Sequence, residues 1–269
     1  MIHHGAAKPI GNSGNSSLAP LSTMIDWPYP RLCAHRGAGK LAPENTLAAL
    51  RVGYAHGYRM VELDVKLAAD GVAFLLHDAT LDRTTNAKGR ADALTWRELS
   101  QLDAGAWQSP TYAGEPLPTL AAVARWARAH EVAVNIEIKP SPGRERETGA
   151  AVAQDAAALW RKAKTAPLLS SFSPRALEAA GEAVAALPRA YLCDKFDDDT
   201  LPLAADLGCI ALDIKHTLLT ADAIKRARDA RLRVVAWTVN DAARIAELHT
   251  LGVDTVITDA VDTISPAIR

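Results

Sequence analysis

From Arg31 onward the chain repeats one unit eight times. A short β-branched or apolar run is followed by an alanine-rich amphipathic segment. The runs are 31–35, 60–66, 132–139, 168–172, 190–193, 209–214, 233–239 and 255–259. The helical segments between them include 43–56, 120–130, 149–163, 175–185, 200–207, 221–230 and 241–250. Such alternation demands a parallel sheet with helical crossovers. Eight units in about 240 residues predict an α/β fold, a closed TIM (β/α)8 barrel. A doubly wound open sheet is the alternative, but no G-x-G-x-x-G turn follows the first run. Pro43 suits the first turn of its helix, where the missing N–H costs nothing. Only 261–269 follow the last run, so the final helix is expected to be short or missing.

Two departures from the alternation matter. The second run continues through Asp70-Gly71 into another apolar run ending at His77-Asp78. Asp-Gly between apolar runs signals a hairpin, and a two-residue loop there places Asp64 opposite His77. The second departure is an insertion over 79–118 before the next helix. Thr95 and Glu98 form a capping-box signal within it. Trp96 and Trp107 are expected to anchor this insertion, as a partial lid over the barrel end that carries His77.

Composition narrows the function classes. Of 269 residues, 49% are hydrophobic and 23% charged, which is ordinary for a globular protein. Thirty Lys+Arg against 31 Asp+Glu leave a net charge of -1, with no basic excess for nucleic acid or an anionic membrane. No apolar window is long enough to cross a bilayer. Cys33, Cys193 and Cys209 each sit in an apolar run, which reads as buried free thiols in a reducing compartment. With no basic start leading into an apolar core, the expected location is the cytoplasm. Residues 1–23, with the low-complexity run 11–17, read as a disordered N-terminal extension. Met24 is then the natural start and 24–269 a single catalytic domain. Oligomeric state is not legible.

Four strings carry charge where a buried strand would hold leucine: His35-Arg36-Gly37, Glu62-Leu63-Asp64, His77-Asp78 and Glu137-Ile138-Lys139. Charge on an inner strand face is costly unless it meets a metal, a substrate or another charge. Glu62 and Asp64 share a face, as do Glu137 and Lys139, while Ile136 and Ile138 face the helices. Three carboxylates with no soft ligand make a hard oxygen site, suited to one divalent ion, Mg²⁺ or Ca²⁺. Salt bridging of these acids with Lys139 and Arg36 is the structural alternative. His35 and His77 can serve as general base and general acid near neutral pH. Arg36 and Lys139 supply positive charge for a phosphate oxygen.

These residues resemble the glycerophosphodiester phosphodiesterase family, closest to its bacterial cytoplasmic members, over nearly the whole chain after Met24. The resemblance rests on an ordered set. It begins with Ala34-His35-Arg36-Gly37, Pro43-Glu44-Asn45-Thr46, Glu62-Leu63-Asp64, Leu76-His77-Asp78 and Leu81-Asp82-Arg83-Thr84-Thr85. It continues with Pro116-Leu117-Pro118, Asn135 to Lys139, Leu169-Ser170-Ser171-Phe172 and Trp237-Thr238-Val239-Asn240. The resemblance implies hydrolysis of glycerophosphodiesters to sn-glycerol 3-phosphate and an alcohol, on a TIM barrel. It implies metal ligands at Glu62, Asp64 and Glu137 and a catalytic pair at His35 and His77. It implies phosphate contacts at Arg36 and Lys139, and an aromatic beside the glycerol at Trp237. Glu44 matches an acidic position beside the site, read as holding the loop after His35 or a water there. Ser171, Phe172, Asp213 and His216 are candidates for the same mouth. His35 is expected to act as base and His77 as acid, with either water or the substrate's 2-hydroxyl as attacker.

Two other readings compete. A metal-dependent barrel lyase would use Lys139 as Schiff-base or proton-abstracting residue and leave both histidines idle. A non-catalytic barrel that binds glycerophosphodiesters would have no use for His35 and His77.

Overall fold

The computed structural model describes Met1 and residues 26–266. Apart from Met1, the expected extension 1–23 and the start at Met24 lie outside the described residues. All eight runs become strands. They are β1 (Leu32–Ala34), β2 (Met60–Leu67), β4 (Ala133–Ile138), β5 (Leu168–Ser171), β6 (Arg189–Cys193), β7 (Ala211–Lys215), β8 (Arg233–Trp237) and β9 (Thr255–Thr258). A short β3 (Ala73–Leu75) pairs antiparallel with β2. The other pairings are parallel, in the order β1-β9-β8-β7-β6-β5-β4-β2. Ala34 pairs with Val61 and closes the ring into a TIM barrel.

The helices are α1 (Leu47–Ala55), α2 (Trp96–Leu99), α3 (Leu120–Ala129), α4 (Glu145–Leu159), α5 (Pro174–Ala183), α6 (Thr200–Asp206), α7 (Ala221–Asp229) and α8 (Ala242–Leu251). No helix follows β9 among the described residues, and none is long and apolar enough to cross a membrane. The two-residue period of the strands separates two cores. Val61, Leu63, Val65, Ile136 and Ile138 pack outward against the helices. Cys33, Met60, Leu168, Ala190, Ala211, Val235 and Ile257 fill the barrel interior, with Tyr29 beside them. All three cysteines are buried and unpaired.

Three local expectations need correction. Helix α1 starts at Leu47, not Pro43, because Asn45 takes a left-handed backbone (φ 59°) that interrupts any helix there. Thr46 then caps the helix, accepting from the Ala49 N–H. Helix α4 begins four residues before the expected Gly149. That glycine lies mid-helix because a β-carbon there would collide with the Ala176 carbonyl oxygen of α5.

The hairpin is the third. Ala68 N–H donates to the Val72 carbonyl and Gly71 N–H to Ala68, each at 3.0 Å. The loop therefore has three residues, with Gly71 left-handed at φ 83°. Val65 pairs with Leu75, and Asp64 stands opposite Leu76 rather than His77.

The insertion folds around Phe74 and Leu76, against which Leu81, Ala91, Leu99, Ala104 and Leu117 are buried. The Thr95 N–H donates to the Glu98 carboxylate at 2.8 Å, as the capping-box signal predicted. Trp96 packs against Phe74, with ring centroids 6.3 Å apart. Trp107 is not a core anchor: it is 40% exposed, and its indole N–H donates to the Ala104 carbonyl.

Candidate active site

Asp64 and Glu137 are register partners on adjacent strands, and Glu62 lies one pleat below Asp64. All three are buried, and one oxygen from each falls within 4.8 Å of the others. Asp64 is held most tightly. The Asn45 side-chain amide donates through Nδ2 to its carboxylate at 2.7 Å, and the Asp64 N–H donates to Asn45 Oδ1 at 3.0 Å. Lys139 and Arg36 approach it at 3.5 and 3.4 Å. Burial alone would raise its pKa, but Lys139 and Arg36, together with His77 and the Asn45 bond, hold it low. Glu62 and Glu137 are pushed well above the carboxylate range, first by burial and then by the charge of Asp64. Glu62 Oε2 accepts from the Arg36 N–H at 3.1 Å, while its Oε1 is buried without a partner. Crowded acids, an orphaned oxygen and an all-oxygen donor set fit a hard divalent cation.

His35 leaves the end of β1 on a tight turn in which Arg36 is left-handed (φ 51°). Its Nδ1 lies 2.6 Å from Asp259. A carboxylate only accepts, so Nδ1 carries the proton and Nε2 faces the cleft, 3.7 Å from Glu62. Asn240 in turn holds Asp259, accepting from its N–H at 2.8 Å and donating to its carboxylate at 3.3 Å. Burial would lower the His35 pKa, but the Asp259 bond and the Glu62 charge raise it. His77 repeats the device with Asp78, again at 2.6 Å. Burial dominates there, and despite Asp64 and Asp78 its pKa is lowered.

One cleft of about 130 Å³ at the C-terminal mouth collects His35, Arg36, Glu62, His77, Glu137, Lys139 and Trp237. Lys139 pairs with Glu137 at 2.9 Å, and these carboxylates raise its pKa against the opposing effect of burial. Arg36 pairs with Glu44 at 2.9 Å. Glu44 thus stands behind the cleft, tied to the turn after His35. Phe172 is 42% exposed at the rim and meets Trp237 edge-on at 5.5 Å.

Of the other mouth candidates, Phe172 and Asp213 line the cleft and Ser171 and His216 do not. Ser171 belongs to the outward face and spends its hydroxyl on the Ile138 carbonyl; Ser170 points inward instead. Asp213 is pushed up to about 7 by burial and is bonded by Asn135 at 3.1 Å. No residue of 79–118 lines the cleft, so the insertion supports the site from the side rather than covering it.

Asn45, Asp259, Asn240 and Lys66 had no assigned role in the sequence. Asp259 emerges only once the ring closes. Closing the ring pairs Ala34 with Thr258, which sets the next residues, His35 and Asp259, side by side. Lys66 continues the inward face of β2, is buried, and donates to the Lys139 carbonyl at 3.2 Å.

Barrel mouths are where TIM-barrel enzymes act. Three crowded carboxylates, two carboxylate-paired histidines and two cations equip this one for acid–base chemistry at an anionic centre. A sequence model of the family described as "Glycerophosphoryl diester phosphodiesterase family" matches residues 35–263. YhdW of Bacillus subtilis is 35% identical over 86% of this chain and 95% of its own length. A glycerophosphodiester phosphodiesterase of Caldanaerobacter subterraneus is 29% identical over 88% and 96%. A solved Oleispira antarctica phosphodiesterase, in complex with the product sn-glycerol-3-phosphate, superposes with a TM-score of 0.81 at 32% identity. That match covers 88% of this chain and 95% of the other. The chain belongs to the glycerophosphodiester phosphodiesterase family and is an enzyme of that class.

Proposed function

We propose that this enzyme hydrolyses small glycerophosphodiesters, such as glycerophosphocholine or glycerophosphoethanolamine, to sn-glycerol 3-phosphate and the free alcohol. The observation that carries the reading is the placement of two imidazoles, each oriented by a carboxylate, in the cleft lined by Glu62 and Glu137 of the acid triad. The Oleispira relative's complex with sn-glycerol-3-phosphate supports the product.

Arg36 and Lys139 bind the non-bridging phosphate oxygens. His35 takes the proton of the attacking oxygen at Nε2, and Asp259 stabilises the imidazolium that forms. His77 returns a proton to the departing alkoxide. Burial first, and then the charges of Lys139 and Arg36, depress His77 in the free site. Phosphate bound between those cations offsets them and leaves Asp64 and Asp78 to favour the charged form. Glu62, Asp64 and Glu137 would hold one divalent ion, Mg²⁺ or Ca²⁺. When bound, it supplies positive charge to phosphate oxygens and offsets the Glu62 charge that otherwise favours imidazolium at His35. Trp237 and Phe172 flank the glycerol at the rim, and Glu44 fixes Arg36.

Residues 24–269 act as one catalytic domain in this reading. The cytoplasm, a reducing compartment, suits its three buried thiols. The lyase alternative needs Lys139 as a free amine, whereas its carboxylate partners favour the ammonium. The test is release of sn-glycerol 3-phosphate from glycerophosphocholine with Mg²⁺, with Ca²⁺ and with chelator. Release that chelator abolishes is expected. No release with either ion sinks the reading.

A further inference from the structure

The insertion sends one side chain to the machinery. Arg83 stands on a braced turn: the Thr85 hydroxyl donates to the Leu81 carbonyl at 2.8 Å, and Asp82 accepts from the Gly89 N–H at 2.9 Å. From there its guanidinium lies between two carboxylates far apart in sequence. Nε and Nη2 donate to Asp78 at 2.7 and 3.1 Å. Nη1 and Nη2 donate to Glu44, each at 2.7 Å. Asp78 orients His77, and Glu44 holds Arg36. One planar fork therefore joins the partner of a histidine to the partner of a phosphate-facing cation.

We infer that Arg83 is a positioning residue that sets His77 and Arg36 relative to each other. The inference rests on the proposed phosphodiesterase reading of this cleft. Stability is not the reason for such a bridge, because the Arg83 side chain is 42% exposed and exposed ion pairs add little. Geometry is the reason. A guanidinium fixes two carboxylates in a plane, which the single ammonium of lysine does not do. Without the fork, Glu44 loses its brace. Arg36 is then drawn toward Asp64, already 3.4 Å away, and off the phosphate position. Asp78 likewise loses the cation that shares its charge with His77.

The experiment compares wild type, Arg83→Ala, Arg83→Lys and Arg90→Ala on glycerophosphocholine at saturating divalent ion. Arg90 makes a similar exposed pair with Asp92 on the same insertion, without touching the cleft, and its loss is expected to leave activity unchanged. Arg83→Ala is expected to lower kcat about 10- to 100-fold, in the range for partners that orient site ligands, and to raise KM. Arg83→Lys is expected to fail in the same way. Added guanidinium ion should restore part of the Arg83→Ala rate. The groups facing His77 are Asp64, Asp78, Lys139 and Arg36. With Arg83 gone, Asp78 acts on His77 alone, and the limb of the pH profile due to His77 moves to higher pH. If Arg83→Ala does not fold, Arg83→Lys carries the test. Unchanged kcat and KM in a folded Arg83 variant, an equal loss in Arg90→Ala, or no response to guanidinium each overturn the inference. A wild-type enzyme that releases no product removes the reading itself, and the inference with it.

Discussion

The two histidines are mounted by the same local device on different parts of the molecule. His35 sits on the rim where the barrel closes. Its carboxylate partner comes from the loop end of β9, and that carboxylate is held by Asn240 after β8. His77 sits where the chain leaves the barrel, and Asp78 and Arg83 hold it from the insertion side. One imidazole is positioned by the strand ends where the barrel closes, and the other beside a satellite core around Phe74 and Leu81. The comparison teaches that two imidazoles facing one cleft need not share a support. The barrel's ring closure supplies the partner of one, and the insertion braces the partner of the other.

The sharpest way to break this pairing is to delete each imidazole. His35→Ala and His77→Ala should each lose about 10²- to 10⁴-fold in kcat with divalent-ion binding intact. A diester with a nitrophenolate leaving group needs no acid, so it should rescue His77→Ala and leave His35→Ala inactive. Rescue of His35→Ala instead would reverse the assigned roles.

A smaller loss, about 10- to 100-fold, is expected for Asp259→Asn. The sign of its pH effect follows from the causes acting on His35. Burial lowers that pKa, and Asp259 is the largest opposing influence. Removing the negative charge lowers the pKa, so the acid limb of kcat/KM should move to lower pH. A limb that stays in place would mean that Asp259 does not govern His35.

The smallest effect should come from Leu99→Ala, which opens the insertion core without touching the cleft. Its local cost is about 2–5 kcal/mol. If the two mounts are independent, hydrogen exchange should accelerate in 79–118 while the barrel strands keep their protection. Equal acceleration in both regions would dissolve the distinction drawn here.

Much of this was legible in the chain. Glu62 and Asp64, spaced by two on a run too apolar to be exposed, had to share an inward face. The same parity set Glu137 and Lys139 against Ile136 and Ile138. His77 reached the cleft for a different reason from the one the hairpin suggested. A three-residue loop shifts the register by one, and His77 enters the site because β3 has already ended and the pleat no longer dictates its direction. Helix α1 was misplaced because Asn45 gives up helical backbone to bond Asp64 in both directions, a long-range contact that local propensity does not see.

By itself, the sequence determined the repeating strand–helix unit, the inward parity of its charges and the family. The first two follow from periodicities of two and 3.6 residues, which are properties of neighbours along the chain, and the family from the resemblance carried by its ordered motifs. Only the tertiary structure decided that Asp259 orients His35, that Asn45 carries Asp64 and that Arg83 bridges Asp78 to Glu44. Each of these joins groups brought together by ring closure or by the folding of the insertion, and hydrogen bonds of this kind depend on distances that no local pattern encodes.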